Sequence, residues 1–195
     1  EWNSAAPWQP VLNGNSNSNY ARNNTDPRYH NEAFTFGVDN PATHTPCKDL
    51  PNINEMSWYA AKGDPRWDGD ELWTTMGHLY KGGMWFKKKA NISGYNSNTA
   101  SGSYDWRIYT GAYDNSWSVS QTLPDAADAG NYFYLPALGY YYPDQLSSVG
   151  HVGNYWSSSA YPRYSGRAYN LGFRSGNVSV LDNNRRGGFR AEALQ

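Results

Sequence analysis

The chain has a single cysteine, Cys47, so no disulfide can form within its 195 residues. It has no apolar run long enough to span a membrane, and no signal peptide is recognisable. Net charge is −1 at pH 7, which leaves no electrostatic footprint for nucleic acid. No Ser-His-Asp order, phosphate-binding glycine loop or HExxH pair stands out. Hydrophobic residues reach only 38%, yet aromatics reach 16%, with 9 Trp and 17 Tyr. Such a chain packs on aromatic anchors and exposes amphipathic rings, a character shared by many recognition surfaces.

One domain is expected at this length. A chain starting at Glu1 reads as a processed form or an excised fragment. Residues 1–45 read as a lead-in of loop and strand, or a linker from an upstream domain, with Ala33 to Val38 as a short strand. Residues 46–195 read as the domain proper. A first helix is predicted over 52–62: Asn52 caps it, Glu55 completes a capping box, and Gly63 ends it. A second is predicted over 70–81, because Leu72, Trp73, Met76, Leu79 and Tyr80 recur at helical spacing before Gly82-Gly83. Met84-Trp85-Phe86 reads as a strand, and Lys87-Lys88-Lys89 as a solvated edge. Residues 91–131 form a long insertion that Trp106 and Trp117 are expected to pin down. A strand over 131–141 then leads into the final stretch.

That stretch, Leu146 to Ala191, lacks four residue types altogether: Lys, Glu, Gln and Met. At the chain's background, a 46-residue window would miss all four roughly 1% of the time. Asn codons ending in C, with both adenines randomised, encode Asn, Tyr, Ser, Arg, Gly, Asp, His, Thr, Pro, Ala, Val, Leu, Ile, Phe and Cys, and never Lys, Glu, Gln, Met or Trp. An ordinary antiparallel sheet with polar turns also favours Tyr, Ser, Asn and Gly. Beneath the polar scatter lies a skeleton: Tyr155, Trp156, Leu171, Phe173, Val178, Val180 and Phe189. Tyr169, Leu171 and Phe173 fall on one face of a strand, with Asn170, Gly172 and Arg174 on the other. Val178 and Val180 repeat the inward pattern, and Asn177, Ser179 and Leu181 oppose them.

The runs GNYWSSSA, AYNLGFRSGNVSV and NNRRGGFRA resemble the end of a C-type-lectin-fold domain of the formylglycine-generating-enzyme type. More narrowly, they resemble the variable proteins diversified by bacterial and phage retroelements. The resemblance is strongest from Leu135 onward, weaker from Leu50 to Lys89, and absent before Cys47. It implies an α+β domain, with two helices packed on a small antiparallel sheet carrying long loop insertions, and a variable region at about 140–190. It further implies a non-enzymatic module, an adhesin or receptor-binding domain on a bacterial surface, pilus or phage particle, whose ligand is a protein or glycan on another cell or particle. No cofactor, nucleic acid or membrane insertion is expected. The variable face would comprise Tyr141, Tyr142, Ser147, Ser148, His151, Tyr161, Arg163, Tyr164, Ser165, Arg167, Arg174, Ser179, Asp182, Arg185 and Arg186, with Gly166, Gly172, Gly187 and Gly188 as small variants.

Competing chemistries weigh less. Formylglycine-generating enzymes use a cysteine pair and copper, and Cys47 is alone. His44 and Cys47 are three apart, but no second ligand pair accompanies His30, His78 or His151. Asp64, Asp68, Asp70 and Glu71 do not follow an EF-hand loop, and acidic residues at a helix start cap it and answer its dipole. The arginines could stack with tyrosines on nucleic acid or form a mixed polar surface. A protein-binding surface, where Tyr and Arg give contact area and Ser, Gly and Asn adapt, is the reading adopted. A fixed-specificity glycan-binding domain of the same fold and a degenerate enzyme are the alternatives.

Overall fold

The computed structural model describes residues 47, 49–75, 77–102, 104–108, 115–141, 145–161, 167–185 and 187–195. The predicted lead-in, its strand at 33–38, His30 and His44 lie outside them.

The first predicted helix forms as α1, Ile53–Lys62. The Asn52 side chain accepts from the N–H groups of Asn54 (2.8 Å) and Glu55 (3.1 Å), and the Glu55 carboxylate accepts from the Asn52 N–H (2.8 Å). This capping box satisfies donors that no helical carbonyl can reach. At the other end Gly63 donates to the Tyr59 carbonyl, so closely that a Cβ there would sit 2.3 Å from that oxygen.

The second predicted helix does not form. Its residues fold into an antiparallel hairpin of β1 (Arg66–Thr75) and β2 (His78–Lys87), turning at Gly77, whose φ is +78°. Trp73 stands opposite Tyr80 and stacks on it at 5.2 Å, and its Nε1 donates to the Gly82 carbonyl at 2.8 Å. Leu72 and Leu79, the supposed buried stripe, are 60% and 65% exposed. Facing aromatics and β-branched threonines suit a pleated surface, and the sheet neighbours decide the matter. Nor does Asp68 cap a helix. Its carboxylate accepts from the N–H groups of Asp70 and Glu71 and from Trp85 Nε1, beside an irregularity in the β1–β2 register. Asp64 pairs with Arg66 and Asp70 with Lys81, so the acidic residues serve separate partners.

β2 pairs on its other side with β4, Tyr132–Pro136. The strand expected over 131–141 breaks after Pro136; Gly139 follows with φ +70°, and the chain resumes as β5, Tyr140–Tyr141, paired with β6, Leu146–Ser147. The larger sheet runs β3–β9–β8–β7, with β3 at Ser116–Ser118, β7 at Val152–Ala160, β8 at Arg167–Arg174 and β9 at Asn177–Asn184. β3 comes from the insertion, which is pinned as expected: Trp106 is buried and stacks on Trp117 at 6.4 Å. The described residues are thus mixed α+β, mostly strands, with one helix where two were predicted. The core joins Ile53, Met56 and Tyr59 of α1 to Met84, Phe86, Phe133 and Leu135 of the first sheet, and to Tyr155, Leu171, Phe173, Val178 and Val180 of the second.

The outer edge of β7 takes partners from three distant segments. The Val152 carbonyl accepts from the Gly139 N–H (2.7 Å), the Asn154 carbonyl accepts from the Arg190 N–H (3.0 Å), the Trp156 N–H donates to the Arg190 carbonyl (2.8 Å), and the Ser158 N–H donates to the Pro51 carbonyl (3.0 Å). Gly188 bonds Tyr141 in both directions, at 2.9 and 3.0 Å. Residues 188–190 therefore lie as a short strip between β5 and β7.

Candidate functional site

The strand parity read from the sequence holds through β8 and β9. Tyr169, Leu171, Phe173, Val178 and Val180 are buried on the inner face, and Arg174 and Leu181 are exposed on the outer one. Parity also corrects the skeleton. Tyr155 and Trp156 are consecutive in β7, so they cannot both point inward. Tyr155 is fully buried, while Trp156 is half-buried on the outer face, stacked at 4.4 Å on Phe189.

The outer face is not a plain polar surface. Asn170, opposite Trp156, is 0% exposed. Its Oδ1 accepts from Asn183 Nδ2 at 2.7 Å, and its Nδ2 donates to Asn154 Oδ1 at 3.2 Å, giving a three-amide ladder across β9, β8 and β7. Gly172 makes room for it: a Cβ there would lie 3.2 Å from Asn154 Oδ1 and 3.4 Å from Ser179 Oγ. Above the ladder opens a cleft of about 390 Å³ lined by Tyr140, Asn154, Asn183, Asn184, Gly187 and Phe189.

The predicted face divides into groups. Tyr161, Arg167, Asp182 and Arg185 meet at one end of the sheet. Arg167 Nε lies 2.8 Å from Asp182 Oδ2, an ion pair by distance whose N–H is misaligned for a good hydrogen bond. The Arg167 carbonyl accepts from the Tyr161 N–H (3.2 Å) and from Arg185 Nε (3.1 Å), and the Tyr161 ring packs edge-on against Tyr169 at 5.4 Å. Burial lowers the Arg185 pKa to about 10. Arg174 stands at the far end of β8, roughly 23 Å away at the usual rise per residue; it is exposed and donates to Asn177 Oδ1 at 2.8 Å. Ser179 lies mid-sheet, half-buried. Tyr141, Ser147, Ser148 and His151 gather near the β5–β6 pair and the turn into β7, with His151 exposed and Ser148 at φ +59°. Tyr142, Arg163, Tyr164, Ser165, Gly166 and Arg186 lie outside the described residues. Gly187 is buried and Gly188 exposed.

Two arginines read as free surface groups are therefore built into the sheet end, and their replacement should separate them from Arg174. Arg174→Ala should shift stability by no more than about 0.5 kcal/mol, as at an ordinary exposed site. Arg185→Ala removes a donor to a main-chain carbonyl in a half-buried place and should cost about 1–2 kcal/mol. Denaturant midpoints of the two variants test this, and equal midpoints would contradict it.

Sequence reasoning left Tyr140, Asn154, Asn183 and Asn184 out of the face. The signal was available, since asparagine heads the adenine-derived alphabet and all three asparagines lie in the stretch it describes. The chain matches no family model, no characterised protein and no solved structure with which it was compared.

Proposed function

We propose that this chain is a non-enzymatic ligand-binding module of C-type lectin fold, an adhesin or receptor-binding domain carried on a bacterial surface or phage particle. Its outer sheet face and C-terminal loops are varied by retroelement-directed adenine mutagenesis. One observation carries the reading: from β7 to β9 the apolar inner residues lock into a common core with α1, while the opposite face, Trp156 and Leu181 apart, is spelled in Asn, Ser, Arg and Gly beside an open cleft. Side chains on that face can be exchanged with little disturbance of the core, which is what a replaceable binding surface needs. The donor set does not fit the copper chemistry of the resembling enzymes. Cys47 is the only thiol in the chain, and burial pushes its pKa up, away from the thiolate that binds metal. Among the described residues, no helix is long and apolar enough to cross a membrane. A fixed-specificity glycan-binding domain of the same fold is the second reading, favoured by a cleft whose described lining residues are uncharged.

Sequencing the gene's 3′ end across a host population, with its flanking DNA, tests the first reading. A near-repeat of that 3′ end should lie beside a reverse-transcriptase gene. Substitutions should concentrate at adenine positions in outer codons such as those of Arg174, Ser179 and Asn183, leaving the codons of Leu171, Phe173 and Val180 unchanged. Substitutions spread evenly over both layers, or no repeat, would defeat it.

A further inference from the structure

Resting on the binding-surface reading above, we propose that the cleft between the asparagine ladder and the Tyr140–Phe189 rings is the site of a neutral saccharide. The ladder has a fixed polarity. Asn183 spends its Nδ2 and Asn154 its Oδ1 on the buried Asn170. An amide oxygen can accept twice and an NH₂ donate twice, so each bonded atom keeps one valence, while the Asn183 Oδ1 and the Asn154 Nδ2 are wholly left for a ligand. Neither atom has a partner among the described residues, and both residues line the cleft half-exposed. Asn184, exposed at the rim, adds a third amide. Asn170 is thus a positioning residue that sets which end of each neighbour faces out.

A sugar hydroxyl both donates and accepts, so a pair of hydroxyls matches one free donor beside one free acceptor. The other wall is aromatic. Phe189 is held by Trp156 at 4.4 Å and meets Tyr140 edge-on at 6.4 Å. The C–H face of a sugar ring is apolar and packs flat on such surfaces. None of the described lining residues is charged, so a carboxylate, phosphate or sulfate would gain no counter-charge from them for the water it sheds. The volume lies within the roughly 300–1,000 Å³ of small-ligand sites and suits a mono- or disaccharide.

The test is an array of immobilised neutral, sialylated and sulfated saccharides probed with the whole chain, followed by calorimetry on the strongest neutral binder. Signal should fall on neutral saccharides. Asn154→Ala and Asn184→Ala should each weaken binding at least about tenfold, the usual consequence of removing a hydrogen-bonding partner. Lys62→Ala, exposed on α1 against the inner face of the sheet, should change it less than about twofold. The Asn184 side chain bonds nothing else among the described residues, and its main-chain pairing with Arg167 and Gly187 survives alanine, so its variant keeps the test decisive should Asn154→Ala fold poorly. Signal confined to anionic saccharides, no signal from neutral ones, or neutral binding indifferent to both variants would overturn the proposal. A silent array together with a selected peptide ligand lost in Tyr161→Ala or Arg174→Ala would leave the binding-surface reading standing and assign it a protein ligand. Saccharide binding with an invariant gene would remove diversification and keep the site.

Discussion

Phe173→Ala should lower unfolding free energy by about 3–5 kcal/mol, the usual range for emptying a buried aromatic site. Phe173 is 2% exposed near the C-terminal end of β8. Its ring stacks on Tyr155 at 5.8 Å and meets the edge of Phe86 at 5.9 Å, so it joins the two larger sheets. On a third side lies Gly153, where a Cβ would come within 2.1 Å of the ring. Ring and glycine are fitted to each other, and the hole left by alanine has rigid walls that cannot close on it. Phe173→Leu keeps most of the volume and should cost clearly less. Urea unfolding of both variants decides the point. A loss below about 1 kcal/mol for alanine would mean the two sheets are not held together at this ring, given that typical domains are stable by only about 5–15 kcal/mol.

Asn54→Ala should cost about 3 kcal/mol although no apolar contact is lost. Asn54 is fully buried on α1. Its Oδ1 accepts from the Trp106 N–H at 2.8 Å, and its Nδ2 donates to Asp105 Oδ1 at 2.9 Å and, more weakly, to the Ser97 carbonyl at 3.4 Å. Alanine strands the buried Trp106 N–H and takes one donor from the Asp105 carboxylate, which keeps only Arg107; an unmade bond to a buried group costs roughly 1–3 kcal/mol. The loss should also appear locally, as faster proteolysis within residues 97–108 than elsewhere. Asn54→Asp makes the sharper probe. It preserves shape but sets a second carboxylate against Asp105, whose pKa is held below the usual range: burial raises it, and hydrogen bonds from Arg107 and Asn54 more than offset that. That variant should be worse than alanine at neutral pH and recover partly in mild acid, where the two carboxylates can share a proton. A variant indifferent to pH would indicate that the amide does not face Asp105.

What could be read from the sequence follows the range of the forces involved. α1 was legible because its start and stop are set by residues three or four apart: Asn52 with Glu55, Gly63 with Tyr59. The hairpin after it was not. Five apolar positions from Leu72 to Tyr80 fit a helical stripe, and the same residues place Trp73 opposite Tyr80 once the chain turns at Gly77. The deciding contacts are the pairing of β2 with β4, about fifty residues downstream, and no local pattern announces it. In the face, alternation correctly sorted Leu171 from Arg174, because period two is a property of the strand itself. It could not reveal that Arg185 turns back onto the Arg167 carbonyl, since a main-chain acceptor leaves no mark on residue type. Trp156 was placed in the core for its size, although its neighbour Tyr155 already held the inward position.

The stitching of β7 to Pro51, Gly139 and Arg190 bears on how the chain behaves among its own copies. A strand at the border of a sheet ordinarily offers a row of unfilled N–H and C=O groups, and a second molecule can add to that row as another strand. Along β7 the row is already occupied at Val152, Asn154, Trp156 and Ser158, by main-chain atoms that do not depend on which side chains point outward. Exchange of outer residues on β7, even for the β-branched and aromatic types that promote fibril growth, therefore meets no vacant row at this edge from which a fibril could extend.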